Sequence, residues 1–291
     1  MARRRLPPLG AHVSVAGGLA NAFPRGEELG CRAIQIFVKN ANQWQAKPLA
    51  DEEVEAFRAA RAASAIGPVL AHASYLINLA ATDRAVAARS RAALADELSR
   101  CQALGVDGLV LHPGAHTGAG EARGVARFAA QLDRVLAAVP PRGDCGENAT
   151  RVLLENTAGQ GTALGHRLEQ LAAIRDRLAS PERVAVCLDT CHAFAAGYPL
   201  HEQAGYEEFL AEFDDLLGLD LLAGIHLNDS LRPFASRRDR HAHLGEGAIG
   251  TTLFARLLHD RRLARVPMVL ETEPSPDREG HRRDLELLRS L

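Results

Sequence analysis

The 291-residue sequence contains no run of about 18 apolar residues, the length needed to cross a bilayer, and its opening MARRRLPP lacks the apolar stretch of a secretory signal. The chain therefore reads as soluble and cytoplasmic, with no membrane partner. Cysteine is sparse. Cys31, Cys101, Cys145, Cys187 and Cys191 are odd in number and scattered, and four lie within or beside apolar segments, which fits reduced core thiols and excludes a disulfide framework. Lysine is almost missing: Lys39 and Lys47 are the only two among 34 cationic residues. The matching arginine excess runs through every helical segment, so it looks like coding composition rather than phosphate recognition. Lys39, in FVKN at the end of a strand, reads as a solvated loop charge. A formal net charge of −2 argues against holding nucleic acid by bulk charge alone, leaving any bound metal out of account. No Pro/Ser-rich linker, shift in composition or internal repeat divides the chain.

What is present is an apolar run that keeps returning. LGAHVS (9–14), AIQIFV (33–38), VLAHAS (69–74), GLVLHPG (108–114), RVLLENT (151–157), VAVCLDT (184–190), LAGIHLND (222–229) and VPMVLETE (266–273) are short and rich in β-branched residues. Between them lie segments with helical periodicity, such as DEEVEAFRAARAA from Asp51 and a longer one that opens on Thr82 and stops at Gly105. Eight strands alternating with helices predict an α/β fold, a single (β/α)8 TIM barrel, in a chain that is 47% hydrophobic and of typical length for one. The division expected is a basic N-terminal tail over residues 1–8 and one barrel domain over 9–291. Helix-to-strand links are short, whereas strand-to-helix links such as KNANQWQAKPLA are long, which marks the C-terminal face of the strands as the working end.

Polar residues gather at that face. His12, His72, His112, Glu155, Asp189, His226 and Glu271 each stand near the C-terminal end of a strand. A lone histidine there is usually a satisfied core or loop residue, but seven convergent groups would crowd charge into one cavity, and metal binding removes that problem. In RRDRHAH, Asp239 and His241 are two apart, so an extended segment points both the same way. In CLDTCHAFAAGY, Asp189 and His192 flank the turn leaving the sixth strand, and Asp189 there is either a helix cap or a ligand. CxxxC is a poor zinc pairing, so Cys187 and Cys191 read as core thiols. Mixed imidazole and carboxylate donors without organised thiolates favour zinc, or less decisively manganese or iron.

GAHVSVAGG, HASYLINLA, HPGAH, LLENTAGQG, CLDTCHAFAAGY, HLND, DRHAHLGEG and LET, in this order, resemble endonuclease IV, the zinc-dependent apurinic/apyrimidinic endonuclease family. The resemblance runs from Leu9 to about Glu273. It implies three Zn²⁺ per chain, with Mn²⁺ or Fe²⁺ as substitutes, held by nine ligands: His72, His112, Glu155, Asp189, His192, His226, Asp239, His241 and Glu271. By the same resemblance Glu155 bridges two ions, one also on His72 and His112 and the other on Asp189, His226 and Glu271, while His192, Asp239 and His241 hold the third. The activity implied is hydrolysis of the phosphodiester 5′ to an abasic site in duplex DNA, leaving a 3′-hydroxyl and a 5′-deoxyribose phosphate, with removal of 3′-blocking groups at strand breaks beside it.

Glu155 is then the catalytic residue, and Tyr75 and Leu76 match positions that press into DNA at the lesion. Where the family commonly has arginine in a KNQRQW-like segment, this chain has Asn42, which is shorter and uncharged. His12, Asn228, Asp229, His243 and Glu246 read as turn-forming, ligand-orienting or DNA-contacting. Three divalent ions add six charges to the formal −2 and leave +4, concentrated where a phosphate must sit. The partner expected is damaged duplex DNA, nucleoid-associated, with no obligate protein partner. Two rival readings stand: a metal-dependent sugar isomerase or epimerase on a similar barrel, using only Glu155, Asp189, His226 and Glu271, and a non-catalytic lesion-binding protein with structural metals.

Overall fold

The computed structural model describes residues 6–141, 149–272 and 279–291, and in it each of the eight apolar runs contains a parallel strand. In chain order the elements are β1 (Leu9–His12), α1 (Ala22–Glu28), β2 (Ala33–Ile36), α2 (Asp51–Ala63), β3 (Val69–His72), α3 (Arg84–Leu104), β4 (Gly108–Leu111) and α4 (Glu121–Ala138). There follow β5 (Arg151–Glu155), α5 (Leu168–Arg175), β6 (Val184–Asp189), α6 (Thr190–Ala196), α7 (Gln203–Leu216) and β7 (Leu222–His226). A two-stranded antiparallel ribbon, β8 (Asp229–Ser230) with β9 (His241–Ala242), is inserted before α8 (Thr251–His259), β10 (Met268–Leu270) and α9 (Gly280–Ser290). Pairing runs β1-β2-β3-β4-β5-β6-β7-β10 and returns to β1, a closed TIM barrel.

Strand alternation divides the core in two. Ala33, Leu70, Val110, Leu153, Ala185, Cys187 and Val269 fill the bore, while neighbours such as Ile34, Leu109, Val152 and Leu154 point outward against the helices. The helices answer with stripes of matching period. In α4, Val125, Phe128, Ala129, Leu132, Val135 and Leu136 are buried, each large side chain contributing about 1.5–3 kcal/mol on removal from water. The helix expected from Thr82 starts two residues later, because the Asp83 carboxylate accepts from the backbone N–H of Ala85 and Val86 and so caps it; Gly105, at φ 77°, ends it.

Lys39 corrects the expectation of a solvated loop charge. Its side chain is 2% exposed and its Nζ lies 3.2 Å from Glu97 Oε1 on α3. Cys31, Cys101, Cys187 and Cys191 are free and buried; Cys145 lies outside the described residues. Of the expected N-terminal tail, residues 1–5 also lie outside them, while Pro7 is buried and the Pro8 carbonyl accepts from Met268 N. Among the described residues no helix is long and apolar enough to cross a membrane.

Candidate metal centre

Period-two alternation carries the bore upward into polar chemistry. Two residues beyond the bore-filling Leu70, Val110, Leu153, Cys187 and Val269 come His72, His112, Glu155, Asp189 and Glu271, so each faces the barrel axis at the C-terminal rim. Strand β7 delivers His226 in the same layer, level with Asp189 in the β6–β7 register. Glu155, fully buried, is the hub. Its Oε2 lies 3.2 Å from His72 Nε2 and 2.8 Å from His112 Nε2, and its Oε1 lies 2.9 Å from His226 Nδ1 and 3.4 Å from His192 Nδ1.

Three donor groupings result: His72, His112 and Glu155; Glu155, Asp189, His226 and Glu271; and His192, Asp239 and His241. Donor atoms within each lie within 4.8 Å of one another. All nine residues expected as ligands are thus brought together, with Glu155 shared between two groupings. In the third, Asp239 reaches His192 Nε2 at 3.1 Å and His241 Nε2 at 3.2 Å. A further grouping of Asp189, Cys191 and His241 was not expected; burial pushes the Cys191 thiol up to about 12, so it stays protonated.

Hydrogen bonds to the far side of each ring decide which nitrogen faces the cluster. The Ala73 carbonyl can only accept, so His72 Nδ1 donates to it at 2.7 Å and presents the Nε2 lone pair to Glu155. His192 Nδ1 donates likewise to the Asn156 carbonyl at 2.9 Å. Gln35 Nε2 donates to the Glu271 carboxylate, which fixes the amide so that its Oε1 accepts from His226 Nε2 at 2.9 Å. His226 Nδ1 is left facing Glu155 and Glu271, each at 2.9 Å. Lone pairs set against carboxylates at these distances repel unless a proton or a metal ion stands between them. His241 Nε2, set 3.2 Å from the Asp239 carboxylate and 3.7 Å from that of Asp189, makes the same demand. The donor set therefore fits divalent metal ions.

Without metal, protons meet that demand. Burial alone would raise Glu155, but His112 and His226 hold it well below the usual carboxylate range. Burial opposes charge on His192 and His226, yet Asp189 beside the first and Glu271 and Glu155 beside the second lift both well above the ordinary histidine value. His241 is raised to about 9 in the same way, by Asp239 and Asp189 against burial.

Asp189 answers the alternative left open above, because it is both cap and cluster member. Its Oδ1 accepts from His192 N at 2.7 Å and caps α6, which begins without any intervening loop. Its Oδ2, held by Asn228 Nδ2 at 2.6 Å, faces His226 and His241. Asn228 also accepts from the backbone N–H of Glu271 through Oδ1, so it ties two carboxylate-bearing strand ends of the cluster together. Asp229 forms a turn: it accepts from the backbone N–H of Ser230, Gly245, Gly247 and Ile249. A Cβ on Gly247 would stand 2.4 Å from that carboxylate, so only glycine closes this loop. His243 is anchored to Asp284 at 2.7 Å, His12 Nδ1 meets Gln35 at 3.2 Å, and Glu246 lies on the rim.

Above the cluster opens a cleft of about 550 Å³ lined by His112, His192, His241, Glu271, Tyr75 and Leu231 among others. Tyr75 is 59% exposed on its edge with its ring 5.0 Å from that of His72; Leu76 is half-buried beside it and Asn42 is exposed on the preceding loop. Gln35 and Asn156 were missed by sequence reasoning. The available signal was an amide inside the apolar run AIQIFV, and the asparagine directly after Glu155.

The chain matches the family model described as a xylose isomerase-like TIM barrel over residues 23–291. It is 49% identical over 286 residues to "Probable endonuclease 4" of Chloroflexus aurantiacus, covering 98% of each chain. Among solved structures it resembles endonuclease IV from Thermus thermophilus, with a TM-score of 0.86, 38% identity and 98% of each chain covered. A D-tagatose 3-epimerase-like protein superposes with a TM-score of 0.70 at 16% identity over 97% of each chain, a likeness of fold alone.

Proposed function

Because the chain belongs to the endonuclease IV family, we propose that it is a DNA-repair hydrolase that cuts the phosphodiester 5′ to abasic sites in duplex DNA, leaving a 3′-hydroxyl and a 5′-deoxyribose phosphate. The observation that carries this reading is the sharing of Glu155 between two donor groupings, with a third grouping beside them. In this reading residues 9–291 form the endonuclease domain. His72, His112 and Glu155 hold one Zn²⁺, Glu155 with Asp189, His226 and Glu271 a second, and His192, Asp239 and His241 a third, with Mn²⁺ or Fe²⁺ able to substitute. Bound there, the ions supply a nucleophile at neutral pH and Lewis acidity toward the phosphate.

The residues of the chain do the rest. Glu155 orients or deprotonates the attacking water from its buried position between two donor groupings. Gln35, Asn156 and Asn228 fix rings and carboxylates so that little reorganisation is needed. Tyr75 and Leu76, at the cleft edge, press into the duplex beside the extruded nucleotide. Blocked 3′ ends reach the same cleft and are second substrates.

Four of the nine groups, Glu155, Asp189, His226 and Glu271, would be enough for a sugar isomerase or epimerase. That reading gives His72, His112, His192, Asp239 and His241 no task. Incubating the protein with a duplex containing one abasic site, before chelation, after it and after return of zinc, is the test. A single 5′ incision that chelation abolishes and zinc restores is expected. An intact duplex with zinc-loaded, folded protein would refute the proposal.

A further inference from the structure

Residues 37–50, between β2 and α2, have no regular structure, yet four residues of α3 grip them. Lys39 Nζ stands 3.2 Å from Glu97 and 3.6 Å from Asp96, and also donates to the Trp44 carbonyl at 3.1 Å. Arg100 donates to the Lys47 carbonyl, and the Arg89 guanidinium lies 5.2 Å from the Trp44 ring centroid. Glu97 serves a second loop at the same time. Its other oxygen accepts from Ser74 N at 3.0 Å, and Ser74 Oγ donates to the Ala41 carbonyl. One carboxylate, 1% exposed, thus joins the loop carrying Asn42 to the loop carrying Tyr75 and Leu76.

A buried ion pair is a poor way to gain stability, since desolvating both charges offsets most of their attraction and a well-packed apolar pair does as well. What it does supply is a fixed geometry at several atoms at once. Building on the function proposed above, we propose that Glu97, with Lys39 and Ser74, locks these two loops into one lesion-reading body. Glu97 is a positioning residue: it governs capture of the abasic nucleotide and takes no part in bond cleavage.

Two substitutions separate the links. Glu97→Gln keeps an acceptor for Ser74 but ends the pairing with Lys39, and Ser74→Ala keeps the ion pair but cuts the bridge to Ala41. Each is expected to raise KM for abasic duplex about 5- to 10-fold with kcat within twofold and zinc content unchanged. Leu98→Ala, a fully buried neighbour on the same helix, lowers stability without moving KM. In a Tyr75→Ala background neither substitution should raise KM further, because the body it positions is already blunted.

Amide exchange supplies a readout independent of cleavage, and Trp44, the one tryptophan of the chain, adds its emission. Ser74→Ala should loosen residues 40–46 and 74–77 together. Loosening of one segment alone, a KM shift no larger than that of Leu98→Ala, a fall in kcat, or full additivity with Tyr75→Ala overturns the inference. Should the wild-type protein leave abasic duplex uncut, the function proposed above fails, and amide exchange alone decides whether the loops form one body.

Discussion

Glu155 and Gln35 meet opposite nitrogens of the His226 ring and are separated by kind of work. Glu155→Gln keeps size and removes the charge shared by two donor groupings, so incision should fall by more than the roughly 10–100-fold that loss of an orienting partner costs. A kinetic assay on folded variant protein checks this, and an unaltered rate would show Glu155 to be wrongly placed. Gln35→Leu tests orientation instead. It leaves all nine donors in place but frees His226 Nε2 and one oxygen of Glu271. A loss of about 10–100-fold in zinc affinity, read by competition with a chelator, is expected with an unchanged fold; affinity within twofold of wild type would reduce Gln35 to a spectator. Neither consequence was legible beforehand for Gln35, because an amide acquires its task only from partners 191 and 236 positions away in the chain.

The loops after β2 and β3 form the next scale. Asn42 offers no charge and little stacking surface, whereas base–aromatic stacking is worth about 1–3 kcal/mol per base. Asn42→Arg should therefore tighten binding to a non-cleavable abasic duplex and steepen its salt dependence by up to about one phosphate contact. Tyr75→Ala should weaken binding more than Asn42→Ala. Dissociation constants across a salt series decide, and Asn42→Ala proving the more damaging would mean that Asn42 makes a specific contact of its own. Elements were the most legible part of this chain. Helix α2 begins at the expected Asp51 and all eight strands lie inside their apolar runs, because alternation and helical period are local properties. The strand-end donors were legible for the same reason, since the alternation that fills the bore also aims them. What escaped was set by distant partners: Lys39 buried against Glu97, and the β8–β9 ribbon.

For the molecule as a whole, protons and metal ions compete for one cluster. In chelated protein the histidines with raised values add stability that is complete below about 6.5, their unfolded value, and is lost as pH rises toward the value of about 9 held by His241. Glu155 and Glu271, held well below the usual range, add stability present above about 4.5 and lost as pH falls. Chelated protein should thus melt highest near pH 5–6.5 and lower toward pH 9. Zinc needs neutral imidazole, so the gain in melting temperature on adding zinc should widen across that same interval; a chelated protein whose melting temperature climbs from pH 6.5 to 9 would contradict this. Elemental analysis of loaded protein should find about three zinc ions per chain, and a folded preparation that never takes more than one would dismiss the cluster. The pairing of β1 with β10 also has a bearing on how each copy is made. The ribosome delivers Glu155 116 positions before Glu271, an interval of about 6–23 s at roughly 5–20 residues per second. Before that interval ends the emerging polypeptide owns two complete sets, first His72, His112 and Glu155 and later His192, Asp239 and His241, and the remaining set lacks Glu271 alone. The last strand translated is the one that shuts the barrel and finishes the second set, so a chain stalled before it has neither a closed sheet nor a working centre.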